Sequence, residues 1–162
     1  MALGALSGLT AAAAASPSGS KTEGWIKVPN ATTLGKIGRD PDYPLNGTYR
    51  QTADIDGSQL NQSIGNKNDP FTGEYDGQCR TISNLSKCFV DTLKQGRIHH
   101  LHFTGANINS KEVAGLAACV VDVNGTVSDI WAENVHIFTL GKNADAGIGG
   151  GRFPERLPTP RR

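Results

Sequence analysis

The chain has 162 residues, a formal net charge of +1 and 20 glycines, whereas aromatic residues make up only 6% of it. A chain of this length can bury the core of one domain, and its near-neutral charge gives no electrostatic reason to expect nucleic acid as a partner. Frequent Gly, Asn, Ser and Thr between short Val and Ile runs are typical of all-β chains with many turns.

Residues 1–23 precede the first predicted strand and contain an alanine run, Ala11–Ala15, followed by a Ser/Pro/Gly segment. The apolar stretch resembles a secretory signal that ends at Ala13-x-Ala15, although no Lys or Arg precedes it. A disordered Ala/Ser linker is the alternative, and both interpretations stay open. No stretch reaches the roughly 18 apolar residues that a membrane span needs.

The first predicted elements lie between residues 25 and 77. The alternation in Trp25–Val28 predicts a short strand, and Ala31–Ile37 predicts a turn or a single helical turn. Tyr49–Asp56 predicts a second strand, and the dipeptide Asp76-Gly77 predicts a tight turn. Two aromatic residues close before that turn are predicted core plugs: Phe71 and Tyr75.

One pattern of glycine and apolar residues occurs twice between residues 96 and 137. Six positions recur 29 residues later, since Gly96, Ile98, Leu101, Phe103, Ala106 and Ile108 return as Gly125, Val127, Ile130, Ala132, Val135 and Ile137. A repeat of this length is typical of stacked units that bury their apolar faces against one another. The apolar residues alternate within each copy, which indicates strands rather than helices.

An earlier, divergent copy of the repeat precedes these two. Ile82 and Leu85 have the spacing of the first two aliphatic residues in the later copies. About three units result, which is the minimum for a solenoid with a continuous core. The repeat also predicts that Leu101 and Ile130 stack in one inward row.

The motifs of residues 49–85 resemble a known module. They are Tyr49, Ala53-Asp54-Ile55-Asp56, Phe71-Thr72-Gly73-Glu74-Tyr75-Asp76-Gly77 and Thr81-Ile82-Ser83-Asn84-Leu85. This series resembles the entry module of bacterial surface proteins with GLUG repeats and the amino-terminal region of immunoglobulin-A-protease-type metallopeptidases. With the later copies, the resemblance covers about Leu34 to Gly149, and it departs from the pattern at Gln78-Cys79-Arg80, where a Gly-containing turn is usual.

The resemblance implies a short right-handed parallel β-helix, a solenoid of about three coils with flexible ends. It is specific for architecture, whereas such repeats occur in proteins of many functions. The zinc-binding catalytic part of the metallopeptidases is not in this chain, so the resemblance implies no catalytic residues here.

The segment His99-His100-Leu101-His102 is rich in potential metal ligands. If Leu101 and Phe103 point inward, strand alternation places His100 and His102 on one outer face, about 6–7 Å apart between Cα atoms and close enough to share a metal. The next copy would place Asp129 and Trp131 beside them, which supplies no evident third ligand. We therefore interpret the histidines as a solvated strand face and predict no metal site.

A polysaccharide lyase or hydrolase acting on the outer wall is the alternative from a different class. β-Helix enzymes that cut acidic polysaccharides need carboxylates for a cation together with an Arg or Lys base. Asp129 and Glu133, near His100 and His102, supply carboxylates without a basic partner in the next coil. The sequence contains no G-x-S-x-G, H-E-x-x-H or P-loop motif, and we predict no catalytic residue and no cofactor.

Two further acidic segments could suggest calcium. Asp122–Gly125 and Asn143–Gly147 faintly resemble calcium loops but lack the third acidic position and the distal Glu. We interpret them as turns between coils. Asp54 and Asp56 are interpreted as structural residues that accept hydrogen bonds from turn amides.

The cysteines are odd in number: Cys79, Cys88 and Cys119. None has the spacing of a metal site. Because Cys88 and Cys119 lie in or beside apolar runs, we predict that both are small buried residues and that no disulfide framework forms.

These patterns predict three regions: a signal-like or disordered segment (1–23), a β-helix domain (24–149) and a disordered Gly/Pro/Arg tail (150–162). We expect a bacterial, secreted or cell-surface, non-enzymatic module that acts as an adhesin-like binding surface or as the scaffold of a larger secreted protein. The expected partner is a glycan or a host or cell-surface protein, and not nucleic acid. Because the last coil has an open end, we also expect self-association through it.

Overall fold

The computed structural model describes residues 24–142 and 144–153. The predicted leader or linker, residues 1–23, and the predicted tail from residue 154 onward lie outside the described residues, as does residue 143. Over the described residues the chain is all-β, and its paired strands run parallel. The all-β prediction is therefore confirmed.

The strands are mostly short, because turns interrupt the chain every few residues. Within the described ranges they are β1 (Trp25–Val28), β2 (Thr48–Gln51), β3 (Ile55–Asp56), β4 (Glu74–Ser83), β5 (Val90–Leu93), β6 (Arg97–Thr104), β7 (Asn107–Ser110), β8 (Ala114–Gly115), β9 (Ala118–Val121), β10 (Thr126–Glu133), β11 (His136–Thr139), β12 (Ala146–Gly147) and β13 (Gly150–Arg152). The helix α1 (Ala31–Leu34) begins after Asn30, whose side chain accepts a hydrogen bond from the Thr33 backbone N–H at 2.9 Å. A 3-10 turn spans Gly57–Gln59. The predicted first strand and single helical turn are confirmed.

The strands of the described chain form four parallel sheets. The largest has the order β1-β2-β4-β6-β10, with β3 also paired to β4, and the second has the order β13-β9-β5. Two-stranded sheets join β7 to β11 and β8 to β12. Strands β10 to β13 thus pair, in the same order, with β6 to β9. We call β6–β9 the middle unit and β10–β13 the last unit.

The 29-residue repeat is the register of the first two of these pairings. Leu101 aligns with Ile130 between β6 and β10, and Ile108 aligns with Ile137 between β7 and β11. The predicted row containing Leu101 and Ile130 is therefore confirmed. The later pairings are offset by 32 residues, because residues 140–145 connect β11 to β12 where only residues 111–113 connect β7 to β8.

Apolar side chains from the aligned strands fill one core. Tyr49, Tyr75 and Ile98 are in register on β2, β4 and β6, and all three are fully buried. Phe89 packs edge-on between Tyr75 and Phe103, with ring centroids 4.9 and 5.8 Å away. Removal of this apolar surface from water is the main stabilising contribution to such a fold. The predicted burial of two aromatic plugs is also confirmed: Phe71 and Tyr75.

The core is less well covered at the last unit. Four of its inward apolar residues are only partly buried: Val127, Ile130, Val135 and Ile137. Their counterparts in the middle unit are at most 2% exposed: Ile98, Leu101, Ala106 and Ile108. The apolar face of the last unit therefore remains partly accessible to solvent.

The predicted tight turn at Asp76-Gly77 is wrong, because both residues lie inside β4. The register between β4 and β6 shifts between Asp76 and Arg80, which is a β-bulge. Gln78 and Cys79 have positive φ angles of 53° and 57° within this bulge. A pair of left-handed residues thus changes the direction of the strand without ending it.

Two predicted boundaries also need correction. The single strand predicted over Tyr49–Asp56 is two strands, Thr48–Gln51 and Ile55–Asp56. The predicted domain end at residue 149 is too early, because Gly150–Arg152 forms β13 beside β9. Glycines have no side chain to pack, so the apolar pattern does not report the strand that they form here.

The prediction that Cys88 and Cys119 are unpaired is wrong, because a disulfide joins them. Cys119 lies on β9 and Cys88 lies just before β5, and the pairing of these strands brings the two Cα atoms to 5.4 Å. This separation suits a disulfide. Cys88 is buried as predicted, and Cys79 is the free, exposed cysteine among the described residues.

In the described part of the chain, no helix has both the length and the apolar character needed to cross a membrane.

Candidate functional site

The outer face of the largest sheet carries rows of polar side chains. One row crosses five strands in register: Lys27, Arg50, Asp76, His99 and Ser128. Strand alternation places this row on the face opposite the buried row that contains Tyr75 and Ile98. Charged and imidazole groups from separate parts of the chain are thereby brought side by side on one surface.

A left-handed residue changes the alternation in the middle of β6. His100 has a φ of 52°, and Ile98 and Leu101, three positions apart, are both fully buried. The two residues between them, His99 and His100, therefore lie next to each other instead of on opposite faces. Asp129 has a φ of 53° at the same place in β10, so the feature belongs to the repeat.

His99 and His100 form the centre of the candidate site. Their Nδ1 atoms are 2.6 Å apart, and the ring centroids are 4.8 Å apart. His99 Nε2 is 2.8 Å from Glu74 Oε1, and His99 Nδ1 is 4.0 Å from Asp76 Oδ1. The His99 side chain is only 7% exposed, whereas that of His100 is 43% exposed. One imidazole is thus held firmly while the other borders solvent.

The carboxylate of Asp76 is fixed by its own bulge. Its Oδ1 accepts a hydrogen bond from the Gln78 backbone N–H at 2.9 Å, and its side chain is 11% exposed. The Arg50 Nε lies 3.9 Å from Asp76 Oδ2, while the Arg50 guanidinium lies over the Trp25 ring at 4.5 Å from its centroid. Asp76 is therefore oriented toward His99 by contacts on its own strand and on β2.

The two histidines that were predicted to share an outer face, His100 and His102, each have further contacts. His102 aligns with Trp131, as predicted, and its Nε2 is 3.8 Å from Glu133 Oε2. His100 Nε2 is 3.7 Å from Asp129 Oδ2. The structure thus gives His100 and His102 one carboxylate each from β10, and it also brings His100 into contact with His99.

The acidic residues of the resemblance motif have structural contacts. Asp54 Oδ1 accepts a hydrogen bond from the Thr81 backbone N–H at 2.9 Å. Asp56 begins the 3-10 turn and accepts from the Ser58 backbone N–H at 3.0 Å. Hydrogen bonds from the Ser58 backbone, the Ser58 side chain and Asn84 lower the pKa of Asp56 below its usual value. The interpretation of both residues as structural is supported, with the difference that Thr81 lies on a strand.

The two segments that faintly resemble calcium loops contain turn and ion-pair contacts. The Gly125 backbone N–H donates to the Asp122 carbonyl at 2.9 Å, and the Val123 N–H donates to Asp122 Oδ1 at 2.7 Å. In the second segment, Asp145 Oδ2 is 2.9 Å from Arg152 Nε. The Asp122 segment is therefore a turn, as predicted, whereas the Asp145 carboxylate forms an ion pair with Arg152 on β13.

An open groove lies beside the Cys88–Cys119 disulfide. It is lined by residues of β5, β7 and β9 and by the loop around residues 61–69. Charges of both signs border it, among them Lys67, Asp91 and Lys111. The mixed charge favours no particular class of ligand.

Comparison of the chain with protein-family models, with curated proteins and with solved structures finds no match.

Sequence reasoning missed His99 because it assumed strict alternation along β6. The signal that could have revealed it is the three-residue spacing of Ile98 and Leu101, which returns at Val127 and Ile130. Two inward residues separated by two others require an extra residue on the outside.

Proposed function

We propose that the chain is a short right-handed parallel β-helix of about three coils that acts as a non-enzymatic, exported binding module. The observation that carries the proposal is the repeated strand order, in which β10 to β13 pair in parallel with β6 to β9. Stacking of successive units in this way leaves long outer walls whose side chains can vary without disturbing the core.

The disulfide supports export to an oxidising environment. Disulfides persist in secreted, periplasmic and cell-surface proteins, whereas the cytosol keeps thiols reduced. The Cys88–Cys119 bond joins neighbouring units across a sequence separation of 31 residues. This structural role fits the secreted or cell-surface location that the resemblance to GLUG-repeat surface proteins implies.

We propose a glycan as the partner, bound on the outer wall around Trp131. The Trp131 side chain is 53% exposed and lies beside His102, with Glu133 two residues further along β10. An exposed aromatic ring offers an apolar face for the C–H surface of a sugar, and the neighbouring polar groups can bond its hydroxyls. The module would then present a larger secreted protein to a glycan-coated surface.

A panel of polysaccharides tests this proposal, with binding and product release measured on the same samples. We expect binding without release, and at least about a tenfold loss of affinity in Trp131→Ala, the effect of losing one aromatic contact. Phe138→Ala is the matched control, since Phe138 is 58% exposed but lies on β11 in another sheet.

The same panel separates the alternatives. Release of reducing ends or unsaturated products would favour the polysaccharide lyase or hydrolase. Absence of binding to every polysaccharide would refute the glycan partner, and equal loss of binding in the two variants would refute the assignment to Trp131.

The partly exposed apolar face of the last unit supports self-association. A strand edge with accessible apolar residues is a template for pairing with another chain. We propose that a second copy of the chain covers this face.

A further inference from the structure

We propose that Asp76, His99 and His100 form a binding site for one divalent transition-metal ion of the zinc type. Each residue offers one ligand atom, and these three atoms lie within 4.8 Å of one another. Two imidazole nitrogens and one carboxylate oxygen are a donor set that suits Zn²⁺ and its first-row neighbours. The ion would be held on the outer face of β4 and β6.

The carboxylates around the site direct the lone pairs of both imidazoles to the same point. Glu74 Oε1 is 2.8 Å from His99 Nε2, so that nitrogen carries the proton and His99 Nδ1 presents a lone pair. Asp129 Oδ2 lies 3.7 Å from His100 Nε2, too far for a direct hydrogen bond, and its negative charge favours the proton on that nitrogen by electrostatic attraction. With both protons on Nε2, the two Nδ1 atoms face each other as lone pairs, an arrangement that a bound cation stabilises.

Carboxylates behind metal-binding histidines are a recurrent feature of metal sites, because they fix the tautomer and increase ligand basicity. Glu74 fills this position for His99, and Arg97 Nη1 lies 3.9 Å from the same Glu74 oxygen. Glu74 is a positioning residue and not a ligand. The His99 side chain is only 7% exposed and its Nε2 bonds to Glu74, so packing and this contact together orient the imidazole.

The spacing requires only a small adjustment. Nitrogen ligands at about 2.0–2.1 Å from a tetrahedral ion are roughly 3.3 Å apart, whereas the two Nδ1 atoms are 2.6 Å apart. His100 can supply the movement because its side chain is 43% exposed. Asp76 Oδ1 retains a second lone pair beyond its bond from the Gln78 N–H. Water would occupy the position that faces solvent.

The alternative is a hydrogen-bonded histidine pair with one shared proton and no affinity for metal. The two possibilities make different predictions for titration with Zn²⁺ or Co²⁺ alone. The protein should carry no histidine tag, and a Cys79→Ser background removes the exposed thiol as a competing ligand. Isothermal titration gives stoichiometry and affinity, and the visible absorption of Co²⁺ reports the ligand geometry.

We expect one ion per chain, with affinity reduced at least about a hundredfold in His99→Ala and in His100→Ala, since each removes a direct ligand. Asp76→Asn should weaken binding likewise. Glu74→Gln should keep the stoichiometry, lower the affinity by about 10–100-fold and alter the Co²⁺ spectrum. His102→Ala is the matched control for the metal site, because it removes a histidine of the same strand that lies outside the cluster, and it should leave metal stoichiometry and affinity unchanged.

Absence of binding at millimolar metal in the parent protein would overturn the proposal. So would a loss in His102→Ala as large as the loss in His100→Ala, because it would show nonspecific binding to the histidine-rich strand. If circular dichroism shows that His99→Ala does not fold, the half-exposed His100 decides the question.

Discussion

Replacement of both Cys88 and Cys119 by alanine should destabilise the chain by about 3.7 kcal/mol. The sequence separation of 31 residues sets this value, since cross-linking a loop of that length removes about 12 cal/mol/K of entropy from the unfolded chain at 25 °C. The Gly115 backbone N–H also loses its 3.3 Å contact with Cys88 Sγ. With a urea m-value of about 2 kcal/mol/M, the unfolding midpoint should fall by roughly 2 M.

Urea unfolding of the oxidised parent and of the double variant measures this difference. Cys79→Ser is the control, and because Cys79 is exposed it should change stability by less than about 0.5 kcal/mol. Alkylation of the unfolded, unreduced parent should modify one cysteine. Modification of all three, or a double variant as stable as the parent, would show that the cysteines are not paired.

The remaining predictions concern the core, alkaline pH and assembly. Leu101→Asp should abolish folding or lower the free energy of unfolding by at least several kcal/mol, because it buries an unpaired charge. The control Leu140→Asp, at a 72% exposed site, should melt like the parent. A cooperatively folded Leu101→Asp protein would refute the inward row. Burial raises the pKa of Tyr49 and of Tyr75 above the usual value of about 10. Because the tyrosines ionise first in the unfolded state, the free energy of unfolding should be unchanged below pH ~10 and decrease above it. When urea unfolding is measured at a series of pH values, the free energy of unfolding of Tyr75→Phe should decrease less steeply above pH ~10 than that of the parent. Equal slopes in the two proteins would contradict the assignment of this pH dependence to Tyr75. The average mass of the parent protein from light scattering should increase with protein concentration. It should increase less in Ile137→Lys, which places a charge on the accessible apolar face of the last unit. A parent protein that stays monomeric at every concentration would rule out self-association.

The repeat made part of the fold predictable because strand pairing and apolar burial have the same period. Leu101 and Ile130 occupy equivalent places in the pattern, and a parallel register that aligns them buries both. The burial of Phe71 and Tyr75 was predictable for a different reason, since large apolar groups between turn residues have to enter the core.

Features that depend on single backbone angles were not predictable from that period. Asp76-Gly77 has the composition of a tight turn, but its neighbours on both sides pair with β6, and tertiary pairing outweighs local turn preference. His99 is brought to His100 by one left-handed residue, whose conformation composition does not indicate.

The spacing of the two bonded cysteines in the sequence is a signal for the disulfide. Cys88 and Cys119 are 31 residues apart, close to the repeat length of 29, so parallel pairing of strands separated by about one repeat brings them beside each other. Apolar flanking residues are equally compatible with a buried disulfide and with buried thiols, and only the strand pairing distinguishes them.

The unequal connections between units identify a place for engineered insertions. Residues 140–145 connect β11 to β12, as residues 111–113 connect β7 to β8, and the longer connection has three more residues. The strands on both sides of it keep their pairing. Loop closure entropy increases slowly with length, by about 0.6 kcal/mol for each doubling. A foreign epitope or reporter peptide grafted between β11 and β12 would therefore be displayed at the surface, while β11 and β12 keep their pairing with β7 and β8.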